Sequence, residues 1–174
     1  DWPLYRGGGN LLGVAEGTLP DEPELLWSMK TGGGIRSSVA IAGQVAVFGS
    51  LDGKVHAVDA VTGKARWTFD AAGAVEATPA ILDGLVFVGC TDGFFYALRV
   101  ESGKLKWKLE TDGQILGAAN VFSDKAGTWL VFGSYDYHLY CVSSDTGEVR
   151  WTVETDNYIN GTPTIQEGLI AFSG

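Results

Sequence analysis

The chain has 174 residues, of which 45% are hydrophobic and 19% charged, so it carries enough apolar material for a packed core. Its formal net charge of −9 at pH 7 opposes nucleic acid and anionic membranes, and we predict no nucleic-acid partner. No run of residues approaches the roughly 18 apolar residues of a membrane-spanning helix, so we predict no transmembrane segment.

The N-terminal part of the chain, residues 1–24, is predicted to be an extension that packs on the domain formed by residues 25–174. The domain opens with an apolar stretch, Leu25, Leu26 and Trp27, which we expect to form an outer strand. A repeat of fixed period then follows and decides the fold class.

Tryptophan marks the repeat. Trp27, Trp67, Trp107 and Trp151 follow one another at intervals of 40, 40 and 44 residues. A glycine stands four residues before each of the last three, at Gly63, Gly103 and Gly147. The four extra residues of the last interval fall in one turn, where IAGQ and LDGL are replaced by FSDKAGTW, and turns tolerate added length.

Within each repeat, β-branched and aromatic runs such as LVFVGC and FFYALRV are bounded by Asp-Gly, Thr-Gly or Ser-Gly pairs. This pattern predicts four short antiparallel strands joined by tight turns, beginning with an inner strand such as VEATPAIL. We therefore predict an all-β chain, a β-propeller of four-stranded antiparallel blades. The predicted blades are 34–70, 74–110 and 114–154, followed by the first two strands of a fourth at 158–174.

The segments AVDAVTGKARW, ALRVESGKLKW and CVSSDTGEVRW resemble the tryptophan-docking repeat of the pyrroloquinoline-quinone-like propellers. The resemblance implies a girdle in which the outer-strand tryptophan packs on the turn glycine of a neighbouring blade. It assigns Trp67, Trp107 and Trp151 to this girdle, together with the glycines at 63, 103 and 147. The motif aspartate is kept at Asp59 but replaced by Arg99 and Ser143, which puts one hydrogen bond per blade in question.

The resemblance also implies a ring of seven or eight blades, so we expect an incomplete ring. The chain is then part of a longer protein, a truncated chain, or a half-ring completed by another chain; a closed four-bladed ring is an alternative. A second propeller half, and hence a homo-oligomer, is one expected partner, because an exposed blade edge favours strand pairing.

Candidate site residues lie at the start of the inner strands, nine residues after each tryptophan, at Arg36, Glu76, Leu116 and Asn160. By resemblance this position opens at the mouth of the central channel. Arg36, Glu76 and Asn160 could bind a small polar ligand there, but we favour a simple ion pair between Arg36 and Glu76. Asn157 and Tyr158 add polar groups to the same mouth.

We predict no catalytic residues and no metal site, because the two histidines and two cysteines show no ligand or nucleophile spacing. Cys90 and Cys141 also do not resemble a disulfide framework. No cofactor is predicted. Quinoproteins of the family would require calcium and commonly adjacent cysteines beside the quinone, and no Cys-Cys pair occurs.

Two functions remain. We favour a non-catalytic propeller that acts as a binding or assembly scaffold for a protein partner. The alternative is a fragment of a quinoprotein alcohol or sugar dehydrogenase that binds pyrroloquinoline quinone and Ca²⁺. By resemblance, the expected location is the periplasm or the cell exterior.

Overall fold

The computed structural model of the chain describes residues 1–8, 10–14 and 21–174. In this part of the chain, fourteen strands form three four-stranded sheets and one two-stranded sheet. The strands are β1 Ala40–Ala42, β2 Val45–Gly49, β3 Lys54–Asp59, β4 Ala65–Asp70, β5 Ala80–Leu82, β6 Leu85–Gly89, β7 Phe94–Arg99, β8 Leu105–Glu110, β9 Asn120–Asp124, β10 Gly127–Gly133, β11 His138–Ser143, β12 Val149–Glu154, β13 Thr164–Gln166 and β14 Leu169–Ala171.

Each four-stranded sheet is an antiparallel meander in which every strand pairs with the next one along the chain. We call β1–β4 blade 1, β5–β8 blade 2, β9–β12 blade 3 and the pair β13–β14 blade 4. The predicted all-β architecture of four-stranded blades in an incomplete ring is confirmed. None of the described residues belongs to a helix that is long and apolar enough to cross a membrane.

The apolar core lies between neighbouring blades. Val47 and Val55 of blade 1 pack with Val86 and Leu98 of blade 2 in one cluster. In the next cluster the rings of Phe95 of blade 2 and Phe132 of blade 3 stack with their centroids 4.0 Å apart. Burying side chains of this size stabilises a fold by roughly 1.5–3 kcal/mol each, so each blade depends on its neighbours for stability.

Every complete blade contains a bulge next to its outer tryptophan. Ala57 pairs with Trp67, but Val58 pairs with Ala65, so Arg66 is the extra residue of the outer strand. The same shift recurs in blades 2 and 3, beside Trp107 and Trp151. A bulge redirects the side chains next to it, and here it accompanies the indole that reaches the next blade.

Two strand predictions are corrected. The inner strand of blade 2 covers only Ala80–Leu82, not the whole of VEATPAIL. Pro79 has no N–H to donate, and Val75 N–H donates to Ser50 O of blade 1 at 3.0 Å instead of joining the ladder. The predicted outer strand at Leu25, Leu26 and Trp27 is absent. These residues belong to no strand, and none of the described strands pairs with them.

The N-terminal segment lies against the inner strands. Trp2 and Ile41 of β1 exchange two backbone hydrogen bonds of 2.7 and 2.9 Å, and Ile81 N–H of β5 donates to Pro3 O at 2.7 Å. Leu4 packs against the core between blades 2 and 3. Residues 1–4 therefore connect the hub sides of successive blades. Part of the predicted extension 1–24, residues 9 and 15–20, lies outside the described residues.

Candidate functional site

Three tryptophans make the same contact with the following blade. The indole N–H of Trp27 donates to Ala60 O, that of Trp67 to Val100 O and that of Trp107 to Ser144 O, at 3.1, 2.7 and 3.2 Å. Each ring covers a turn glycine with φ between +69° and +77°, where an added Cβ would lie 2.5–2.6 Å from the ring. The glycines, in the same order, are Gly63, Gly103 and Gly147.

This geometry places five of the six predicted girdle residues in such contacts, and Trp27 joins them. Trp151 is partly buried and packs against the cluster that contains Val131 and Cys141. Replacement of the motif aspartate leaves the turn backbone unchanged. Gly103 N–H donates to Arg99 O and Gly147 N–H to Ser143 O, as Gly63 N–H does to Asp59 O. The contact thus depends on the glycine and the indole.

A second repeated contact was missed by the sequence analysis. The glycine that ends each second strand, Gly89 for example, lies against a buried aliphatic residue that leads into the next blade. A Cβ on Gly89 would approach Ile115 Cγ2 to 2.2 Å. The equivalent pairs are Gly49 with Val75 and Gly133 with Ile159. The recurring glycine was visible in the sequence, but its position at a strand end explained it equally well.

The aspartate of each tight turn ties the turn to the strand entry beside it. Asp92 accepts bonds from the backbone N–H groups of Ala72 and Phe94 and from the Tyr96 hydroxyl, at 2.6–3.0 Å. Asp136 is bound in the same way, with Tyr140 as the hydroxyl donor at 2.6 Å. Burial and the neighbouring Asp92 carboxylate raise the pKa of Tyr96 well above its ordinary value. The phenol therefore keeps its proton, and donates to Asp92, into the alkaline range where an ordinary tyrosine would ionise.

His56 occupies the tyrosine position in blade 1, with its Nε2 3.2 Å from Asp52 Oδ2. Burial acts to raise the pKa of Asp52, but hydrogen bonds from Gly32, Ser50 and His56 outweigh it and leave the pKa below its ordinary value. His56 is 7% exposed, and its ring stacks on Phe48. It serves as a structural partner of the turn aspartate.

The candidate residues at the inner-strand entries line one pocket, without Asn157 and Tyr158. The pocket has a volume of about 480 Å³ and receives one residue from the entry to each blade. These residues are Arg36, Glu76, Leu116 and Asn160. Arg36 Nη1 donates to Glu76 Oε2 at 3.0 Å. Side chains of the N-terminal segment complete the wall, namely Tyr5, Arg6 and Leu11. The pocket therefore combines an ion pair with hydroxyl and amide groups. Ligand binding there remains a prediction.

Asn157 and Tyr158 lie on the entry to blade 4. The Tyr158 ring stacks on Tyr135 of blade 3, with ring centroids 4.6 Å apart. Asn157 Oδ1 accepts the backbone N–H of Tyr158 at 2.9 Å. Neither residue is among those that line the 480 Å³ pocket. The second group of candidate residues therefore belongs to a separate aromatic surface.

The four-residue insertion in blade 3 is held in place by Asp124. Its Oδ1 accepts the N–H groups of Ala126 and Gly127 and the Trp129 indole N–H, at 2.8–3.2 Å. Its Oδ2 accepts Arg150 Nη1 at 2.6 Å, and the guanidinium lies over the Trp129 ring. The indole N–H and the Arg150 cation lower the pKa of Asp124 to about 2. The longer turn is thus rigidly bonded.

Both cysteines are free thiols within the core. Burial raises the pKa of Cys90 to about 12 and that of Cys141 to about 11. Because only the thiolate is a good nucleophile, neither is activated for chemistry in the folded protein.

The residues that line this pocket do not fit the calcium and quinone of the dehydrogenases. Ca²⁺ takes six to eight oxygen ligands. The only carboxylate lining the described pocket, Glu76, already faces the Arg36 cation. Within the described ranges, no group of three or more histidine, cysteine or acidic side chains could hold a metal. Cys90 and Cys141 belong to different blades, so they cannot flank a quinone as an adjacent pair.

Together, the blades and their indole contacts define a tryptophan-docked β-propeller. The family model described as "Outer membrane protein assembly factor BamB" matches residues 18–127. This match covers more than half of the chain, and the chain belongs to that family of PQQ-like repeat proteins.

Solved structures show the same fold. BamB from Moraxella catarrhalis is 30% identical and superposes with a TM-score of 0.69 over 82% of this chain and 44% of its own. The quinohemoprotein alcohol dehydrogenase from Comamonas testosteroni is 22% identical, with a TM-score of 0.73 over 88% of this chain and 27% of its own. The computationally designed Ika4 protein is 19% identical, with a TM-score of 0.72 over 86% of this chain and 91% of its own.

The chain thus spans less than half the length of the two natural proteins it superposes on. No curated protein matches it.

Proposed function

We propose that the chain is a non-catalytic binding and assembly scaffold that presents its loop face to a protein partner. The loop face is the end of the blades formed by the turns between second and third strands and by the connections from one blade to the next, such as residues 134–137 and 155–163. One observation supports this most strongly. The residues that join the blades repeat from blade to blade, whereas the exposed residues at the strand entries and tight turns do not. For example, the residue at the entry to the inner strand is Arg36 in blade 1, Glu76 in blade 2, Leu116 in blade 3 and Asn160 in blade 4. A constant frame with variable loops is how many folds carry a binding surface.

The frame is suited to this role because it is rigid. Every buried side-chain nitrogen and oxygen of the described residues has a hydrogen-bond partner. The name of the family, an outer membrane protein assembly factor, supports a partner that is a protein and a location outside the cytoplasm. Pairing of two propeller halves, and thus a homo-oligomer, remains part of the proposal.

Site-specific photo-crosslinking in cells tests the proposal. A photoreactive amino acid at Asn157, on the loop face, is expected to give one discrete crosslinked protein band. The matched control replaces Val61, which is 61% exposed in the β3–β4 turn at the opposite end of the blades, and is expected to give none. Equal crosslinking from both positions would contradict a specific partner on the loop face.

The alternative, a dehydrogenase fragment, is tested separately. Purified protein is mixed with pyrroloquinoline quinone and Ca²⁺ and assayed for dye-linked alcohol oxidation. We expect neither a tightly bound chromophore nor turnover. Clear activity would overturn the scaffold proposal, whatever the crosslinking shows.

A further inference from the structure

Tyr137 occupies a backbone position that glycine holds in the other complete blades. It has φ +69°, whereas Gly53 and Gly93 at the equivalent turn position have φ +80° and +86°. The backbone around it is otherwise the same, since Tyr137 O accepts Thr155 N–H as Gly93 O accepts Thr111 N–H, at 2.8 Å in both cases. A bulky residue in the left-handed region is disfavoured. The turn therefore does not need the tyrosine.

The Tyr137 side chain also points outward, with 49% of the residue exposed. In the same turn, two residues earlier, Tyr135 stacks on Tyr158, which is 40% exposed. The Thr155 hydroxyl lies within hydrogen-bond distance of both Tyr137 O and Asn157 O, which ties the turn to the segment that carries Tyr158. In blades 1 and 2 the positions of Tyr135 hold Leu51 and Thr91. We call the three tyrosines the tyrosine face. Its aromatic character is specific to the third blade and its exit, so the repeated frame does not account for it.

The three chain segments at the tyrosine face carry acidic side chains but no lysine or arginine. Segments 134–138 and 154–160 contain the three tyrosines, segment 111–117 adjoins them, and together they contain four acidic residues. Asp112 lies at the face because its N–H donates to Asp136 Oδ2, next to Tyr135 and Tyr137. Asp156 lies between Thr155, which is bonded to Tyr137 O, and Asn157. The acidic residues are Asp112, Asp136, Glu154 and Asp156.

We propose that the tyrosine face binds the cationic side chain of a lysine- or arginine-bearing segment of a partner protein. Aromatic ring faces attract ammonium and guanidinium groups, and surrounding carboxylates add charge complementarity. Asp112, Glu154 and Asp156 are exposed, whereas the Asp136 carboxylate is buried by its own hydrogen-bond donors. A neutral apolar segment would gain nothing from the three exposed carboxylates, and an anionic partner would be repelled. This inference rests on the proposed scaffold function and names the chemistry of its partner.

Peptide binding followed by NMR or calorimetry tests the inference on the whole chain. The probes are a glycine–arginine peptide, the same peptide with glutamine for arginine, and tetramethylammonium chloride as a small cation. We expect the arginine peptide to bind at least tenfold more tightly than the glutamine peptide. Weaker binding of tetramethylammonium at the same residues would support the cation as the recognised group.

Tyr137→Gly is the decisive variant, because it restores the residue of the other blades. We expect its melting temperature to be equal to or above that of the unmodified chain, while its affinity for the arginine peptide falls at least fivefold. Val61→Thr, at the opposite end of the blades, is the control and should bind normally. A stable Tyr137→Gly variant with unchanged affinity would overturn the proposal.

Two further outcomes would also overturn it: equal binding of both peptides, or binding of a neutral sugar such as cellobiose in preference to the arginine peptide. Either result would leave the crosslinking test of the scaffold function unaffected, so the two proposals can fail separately.

Discussion

At the scale of single residues, the indole–glycine contact combines two requirements that can be separated by experiment. The turn glycine must accept a positive φ, and it must leave room for the tryptophan ring of the preceding blade. Gly103 meets both requirements, with φ +69° and the Trp67 ring 2.6 Å from where a Cβ would lie. Gly84 meets only the first, since φ is +74° and no atom lies within 4 Å of its added Cβ.

Gly103→Ala and Gly84→Ala therefore form a matched pair. Both should lose about 1–2 kcal/mol of unfolding free energy to backbone strain. Gly103→Ala should lose about 1–3 kcal/mol more, because the Trp67 ring must move away from the new methyl group. Urea unfolding followed by fluorescence measures both. Equal losses would show that the indole does not depend on the missing Cβ.

The buried thiols predict a loss of stability at alkaline pH. The folded pKa of Cys90 is raised to about 12, whereas a thiol in the unfolded chain has a pKa of about 8.5. Above that value the unfolded state loses a proton that the folded state keeps, so the unfolding free energy falls as pH rises. We expect the urea midpoint to fall between pH 8 and pH 10, with a smaller slope in Cys90→Ala. An unchanged slope in that variant would contradict the prediction.

At the scale of an element, the longer β9–β10 turn of blade 3 is stabilised by one carboxylate. The folded pKa of Asp124 is lowered to about 2, so its ionised form contributes stability that is present above about pH 4. That contribution is lost as pH falls through the folded pKa. We expect Asp124→Asn to lower the melting temperature at pH 7, and the difference from the unmodified chain to shrink toward pH 2. A difference that stays constant down to pH 2 would argue against this role.

Sequence reasoning is strongest at this scale. The 40-residue tryptophan spacing and the Asp-Gly turns predict four-stranded blades because both features repeat. The tryptophan contacts the next blade, and the Asp-Gly pair closes a tight turn between two strands. The prediction that the inner strand of blade 2 begins at Val75 was wrong. Val75 N–H donates to Ser50 O of blade 1, a partner 25 residues earlier in the chain that a local pattern does not reveal. The stack of Tyr135 on Tyr158 was equally invisible, because it depends on how the blade 4 entry crosses the blade 3 turn.

At the scale of the whole molecule, the core clusters of the described residues join neighbouring blades, and the N-terminal segment adds a connection at the inner strands. Trp2 bonds to Ile41 of blade 1, and Pro3, the next residue, bonds to Ile81 of blade 2. Releasing Trp2 from blade 1 should therefore also weaken the Pro3–Ile81 hydrogen bond of blade 2, a blade to which Trp2 itself is not bonded.

Hydrogen exchange of Trp2→Ala tests this connection. We expect the amides of both Ile41 and Ile81 to exchange faster than in the unmodified chain, because the segment that accepts them is released. The Val121 amide is an internal control, since it donates to Asn120 Oδ1 at 2.8 Å within its own blade. Protection lost only at Ile41 would show that the segment does not link the two blades.

The four extra residues of blade 3 also have a practical consequence. They lengthen the turn between β9 and β10, while the blade keeps its four strands and its contact with the Trp107 indole of blade 2. The corresponding corners of blades 1 and 2 contain Gly43 and Gly84, where an added Cβ would have no atom within 4 Å. Those corners lie at the end of the blades away from the tyrosine face. Epitope tags or fluorescent reporters could therefore be grafted there while the opposite surface stays free for its ligand.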